Sequence, residues 1–148
     1  MPALPTDVKA RLQEMFDEII NKGNLDRIPD YFAPNFVDHG PMGDSQGIDS
    51  FRALVEQWRN AVPDVHCTIE NVIEEGKLAA WLVRTTGTHT GDGLGFPATG
   101  KKFETVSVNM GLRDDDYKAV EHWSEQGLFP MLAQLGVLPG MGAPAGAR

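Results

Sequence analysis

Apolar residues recur at helical spacing through the first part of the chain and at alternate positions through much of the rest. Val8, Leu12, Met15, Phe16 and Ile19 stand three or four apart, the spacing that lines one face of a helix. Thr6 is placed to cap that helix and Gly23 to stop it. Leu25 to Phe32 reads as a short second helix that Pro34 ends, and Phe36 to His39 as a short extended segment. Gly40 to Gly47, rich in Gly, Pro, Asp and Ser, reads as a loop. Phe51, Leu54, Val55, Trp58 and Val62 then form the apolar stripe of a third helix, from about Asp49 to Ala61, closed by Pro63-Asp64.

Beyond that point the period is two. Val65, Cys67 and Ile69 alternate with His66, Thr68 and Glu70, as in a half-buried strand. A turn at Glu74 to Gly76 leads to a second strand, Leu78 to Thr88. A loop with glycines at 91, 93, 95 and 100 follows, then a third strand, Phe103 to Leu112, a turn at Asp114 to Asp116, and a fourth strand from Lys118 to about Glu125. Leu128 to Leu135 reads as a short final helix that Gly136 stops. Helices first and hairpin-linked strands afterwards predict an α+β fold with a largely antiparallel sheet. A curved sheet wrapped on helices leaves a cavity of the kind that holds small ligands.

At 148 residues the chain suits one domain, expected to span residues 1–139, with a flexible Gly/Ala/Pro tail at 140–148. The net charge of −8 repels phosphate backbones and anionic lipid surfaces, so neither nucleic acid nor membrane is an expected partner. Cys67 is the single cysteine. With no signal peptide in the first residues and no membrane-length apolar run, the expected location is cytoplasmic.

A series of short segments narrows the reading. In order these are Pro63-Asp64, Gly87-Thr88-His89-Thr90-Gly91, Ala98-Thr99-Gly100-Lys101, Glu121-His122-Trp123, and Gln134-Leu135-Gly136-Val137-Leu138-Pro139. In this order and spacing they resemble the SnoaL-like polyketide cyclase (ester cyclase) family of the NTF2-like superfamily, over roughly Val8 to Pro139. The resemblance implies a cone: a curved, mostly antiparallel mixed sheet with about three N-terminal helices and a short C-terminal helix. It also implies cofactor-free, metal-free enolate chemistry on a small hydrophobic or polyketide-like ligand. Relatives in the superfamily hydrolyse epoxides, isomerise steroids, or only bind ligands or proteins.

Strand parity and the resemblance together give a candidate pocket. On the third strand Thr105, Ser107 and Asn109 alternate with Val106, Val108 and Met110. A solvated polar face over an apolar core is the ordinary reading. The resemblance reverses it, because Asn109 stands where the cyclases carry a substrate-contacting histidine. The apolar face then points outward and predicts a homodimer. The same register turns Trp81, Val83, His122 and Ser124 inward, and Val37 and His39 are assigned to that face too.

Two substitutions bear on chemistry. The position of the cyclases' aspartate base is Ser124, and the epoxide hydrolases' Arg-Asp-Asp set maps to Trp81, Val83 and Ser124, which excludes that mechanism. The candidate catalytic residues are His122 and His39 as bases, Asn109 as oxyanion donor and Ser124 as orienting group. Trp81, Val83, Thr105, Ser107 and Val37 are the candidate substrate contacts. His122 reads equally as a buried structural histidine. No aspartate is evidently placed to orient it. A metal held by His39, His122 and Asp38 is disfavoured, because parity puts Asp38 on the face opposite His39, and no metal is expected. His66 and His89 read as structural, Asp114 to Asp116 as a solvated turn, and the glycine loop as a flap over the pocket. The fork is therefore between an enolate-forming cyclase or isomerase and a binding module that has lost its base.

Overall fold

The computed structural model of the chain describes residues 7–138, so the Thr6 cap and the 140–148 tail lie outside the described residues. Asp7 caps the first helix, its Oδ1 accepting from the Ala10 N–H at 2.8 Å. The helix starts as α1, Val8–Met15, and widens into a π-helical stretch, Phe16–Asn21. A 3-10 turn at Leu25–Arg27 and a four-residue helix α2, Ile28–Tyr31, replace the expected second helix, and the chain becomes extended at Phe32. Strand β1 runs Phe32–Gly40. The expected loop after it is instead strand β2, Gly43–Gln46, which folds back on β1 as a hairpin. Gly43, at φ +117, supplies the turn.

Helix α3 spans Ile48–Ala61. Strands β3 (His66–Glu75), β4 (Leu78–Thr88), β5 (Lys102–Arg113) and β6 (Ala119–Glu125) follow, then helix α4, Leu128–Gln134. The six strands form one mixed sheet in the order β2-β1-β6-β5-β4-β3. All neighbours are antiparallel except β1 and β6, which run parallel. That parallel pair joins the N-terminal strands to the C-terminal meander, and a crossover carrying α3 makes it possible.

The helices cover one face of the sheet. Leu12 of α1, Ala61 of α3 and Met131 of α4 are buried with Cys67, Ile69, Trp81, Val83 and Phe103. A second cluster gathers Ile19, Ile28, Phe36 and Val55 at the β1 end, where the rings of Phe32, Phe36 and Phe51 meet edge-on or tilted. The outer edge of β3 is also occupied. Asn21 accepts from the Cys67 N–H at 2.7 Å and donates to the Cys67 carbonyl at 3.0 Å, and Gln13 accepts from the Ile69 N–H at 2.8 Å. Side chains of the first helix thus stand in for a missing strand and protect a free edge.

The glycine loop is no flap over a pocket. Thr90 and Gly91 donate to the Ala61 carbonyl at the end of α3, at 3.2 and 3.0 Å. A Cβ at Gly91 would collide with the Asn60 carbonyl oxygen. Among the described residues no helix is long and apolar enough to cross a membrane.

Gly91→Ala therefore has to push the loop off α3. The expected cost is about 1–3 kcal/mol, read as a lower urea midpoint with an unchanged denaturant slope. An unchanged midpoint refutes the close approach.

Candidate functional site

Pairing across three strands sets the site. Asn109 of β5 lies opposite Trp81 of β4 and Ser124 of β6; Gly111 lies opposite His122. Asp38 of β1 lies opposite His122 in the parallel ladder. Directly opposed residues share a sheet face, so Trp81, Asn109, His122 and Asp38 all project to the helix-covered side.

They form a connected network there. His122 Nδ1 is 2.6 Å from Asp38 Oδ1, and His122 Nε2 is 2.9 Å from Asn109 Oδ1. Asn109 Nδ2 donates to Ser107 Oγ at 3.0 Å. The Asp38 side chain is 5% exposed and that of His122 17%. A carboxylate so deeply placed needs a donor, and the imidazole Nδ1–H supplies it. The bond fixes the tautomer: the Nδ1 proton faces Asp38, and Nε2 is the nitrogen left for chemistry. The Trp81 ring stacks on the imidazole at 5.7 Å with planes 21° apart. Gly111 makes room for it, since a Cβ there would stand 2.8 Å from the ring.

The Asn109 amide has two settings against this imidazole. With its oxygen toward Nε2, both ring nitrogens carry protons and the ring is an imidazolium. Turned over, its NH₂ donates to a bare Nε2 and its oxygen accepts from the Ser107 hydroxyl. The two settings differ by one proton on Nε2. The network can accept a proton at that atom without stranding a buried polar group.

Parity assigned His39 and Val37 to the wrong face. Both lie on the outer side of β1, because the residue paired across from His122 is Asp38, not His39. His39 bonds Asp44 at 2.9 Å and Glu121 at 2.8 Å and stacks on Trp123 at 5.4 Å. These carboxylates, Glu121 first, raise its pKa. His39 and His122 cannot converge on one ion, and among the described residues no cluster of three metal-ligating side chains exists. Ser124 is buried, but the hydrogen bond it makes is from Gln126 Nε2, at 3.1 Å. Val83 and Thr105 are buried on the inner face further along the strands, 1% and 7% exposed. His89 is structural: buried, its Nδ1 accepting from the Thr99 N–H at 3.2 Å. The thiol of Cys67 is buried beside Thr85, and burial pushes its pKa up to about 11.

A cleft of about 50 Å³ opens beside the network, walled by Leu12, Met15, Ala79, Trp81 and Gly111. Trp81 joins the two, stacking on His122 and lining the cleft. The room is far below the roughly 300–1,000 Å³ of a pocket that encloses a drug-sized ligand.

A curved mixed sheet closed on one side by helices, with a buried imidazole-carboxylate pair on its helix-covered face, defines a protein of the NTF2-like class. The chain matches the SnoaL-like polyketide cyclase family over residues 10–135 and belongs to it. Among solved structures it is similar to TsrD from Streptomyces laurentii, at 27% identity and TM-score 0.80 over 91% of this chain and 99% of that one. It is also similar to IdmH from Streptomyces antibioticus, at 30% identity and TM-score 0.71 over 82% and 94% of the two chains. AclR from Streptomyces galilaeus aligns at 26% identity and TM-score 0.73, covering 90% and 81%. No curated protein matches the chain.

The His39 pairings carry a pH signature. The folded state favours the protonated ring, so the small stabilisation is present below about pH 6.5, the ordinary histidine value, and is lost as pH rises through the higher folded value. In an NMR titration the His39 ring protons should titrate above an unfolded reference, and Glu121→Gln should lower the midpoint. A His39 midpoint at or below the reference refutes both pairings.

Proposed function

We propose that the chain is a cofactor-free cyclase-type enzyme that forms an enolate from a small polyketide-like ketone. The observation that carries this reading is the Asp38–His122 pair, 2.6 Å apart and buried. It supplies a base where Ser124 leaves none. His122 Nε2 takes the carbon-bound proton. Asp38 holds the imidazole by its Nδ1–H and stabilises the imidazolium that forms. In the setting with its NH₂ toward a bare Nε2, the Asn109 amide is displaced by the substrate, and the freed Nδ2–H donates to the enolate oxygen while the Ser107 hydroxyl holds the amide oxygen. Trp81 offers a flat wall to a planar substrate.

A second reading, a binding protein without turnover, is favoured by one specific feature. Both ring nitrogens of His122 already have protein partners. The two readings part on a direct assay, the exchange of α-protons of an aryl ketone such as 2-acetonaphthone in D₂O. The enzyme reading expects acceleration by the wild-type chain and a loss of about 10²–10⁴-fold in His122→Gln. Asp38→Asn should lose activity comparably while binding the ketone with unchanged affinity. Binding without any wild-type acceleration leaves the second reading.

We further propose a cytoplasmic homodimer joined through the outer sheet face. Val106, Val108 and Met110 are 41%, 58% and 36% exposed side by side on β5, which supports a covered face. Light scattering should give twice the chain mass for the wild type and the chain mass for Val108→Glu. A wild-type monomer at micromolar concentration contradicts the dimer.

A further inference from the structure

The cleft beside Trp81 has an electrostatic character at odds with the rest of the molecule. The chain carries a net charge of −8, yet Arg11 and Arg113 both line this cleft. Both lie over the Tyr117 ring, 4.9 and 4.2 Å from its centroid. Arg11 is 8% exposed. Burial, and next the charge of Arg113, lower its pKa. Arg11 feels the like charge of Arg113 against the carboxylates of Glu74 and Asp7, and an anion seated in the cleft adds to the attractive side of that balance.

Trp81 Nε1 and Arg113 Nε are both buried with no hydrogen-bond partner, and both residues line the cleft. A buried unpaired N–H is costly, so two in one wall call for a ligand that brings oxygen atoms. Glu74 is the one carboxylate in the wall, and Lys77, also in the wall, is paired with Asp115 at 2.5 Å. Tyr117 adds a third observation. It sits in the hairpin turn between β5 and β6 at φ +64, the single non-glycine residue with positive φ among those described. That conformation is strained for a non-glycine residue. It is held where the Tyr117 ring meets both arginines, contacts that glycine, the residue best suited to this backbone, could not make.

We propose that this cleft seats the carboxylate of a small organic acid with an apolar body, held by Arg11 and Arg113, with Trp81 Nε1–H donating to a ligand oxygen. It is a deepening of the enolate-forming reading: the substrate is a keto acid, its charged end in the cleft. The volume of about 50 Å³ admits a carboxylate and leaves the body over the apolar wall at Leu12 and Leu112. Planar carboxylate recognition by paired guanidinium groups is the geometry arginine suits best.

The test compares 2-naphthoate with methyl 2-naphthoate, which share the apolar body and differ in charge. The acid should bind the wild-type chain at least tenfold more tightly than the ester by calorimetry, and it should shift the Trp81 indole N–H resonance. Arg113→Gln should erase the acid's advantage and leave the ester's affinity in place; Arg11→Gln should do the same if the first variant fails to fold. Equal affinity for acid and ester in the wild type overturns the proposal. So does absence of acid binding, or an advantage that survives either substitution in a folded variant. Because the readout is binding, selective capture of the acid stands even if α-proton exchange is never accelerated, and accelerated exchange without acid preference removes this inference alone.

Discussion

The parallel ladder between β1 and β6 is the constraint on which the site depends. It brings residues 84 positions apart into register and sets Asp38 against His122 on the covered face. A buried carboxylate is costly without a donor, and a buried imidazole without a fixed partner has no defined tautomer. Each group solves the other's problem. Asn109 and Ser107 extend the chain of bonds across to β5. Three strands that meet only through the finished sheet are thereby fixed relative to one another by a single polar thread.

The same ladder explains what could be read from the residues and what could not. Period-two alternation placed β3, β4 and β5, because their buried and less buried residues alternate over much of each strand, and alternation reports that difference directly. The resemblance, not the alternation, turned the face of Trp81, Asn109 and His122 inward. Alternation fails on β1, whose burial is irregular and whose register shifts between Phe32 and Val37. A one-residue error there exchanges His39 for Asp38. That error hid the aspartate that orients His122 and brought an outward-facing histidine into the candidate site. Strand β2, Gly43–Gln46, escaped for a related reason: it is short and its residues are largely exposed, so it carries no hydrophobic signal. Arg11, Tyr117 and Arg113 come from a helix, a turn and a strand end, and no local pattern links them.

Chemically, the family's base position is occupied by Ser124, which is hydrogen-bonded to Gln126, while an aspartate stands instead behind the imidazole. The bonds among Asp38, His122, Asn109 and Ser107 are kept in either setting of the Asn109 amide.

The most direct test is a double-substitution cycle in urea between Asp38→Asn and His122→Gln. Buried groups that share a hydrogen bond should show a coupling of about 0.5–3 kcal/mol. A coupling in that range places the carboxylate against the imidazole in solution. Destabilisations that simply add, to within about 0.3–0.5 kcal/mol, contradict the pairing of β1 with β6 in this register.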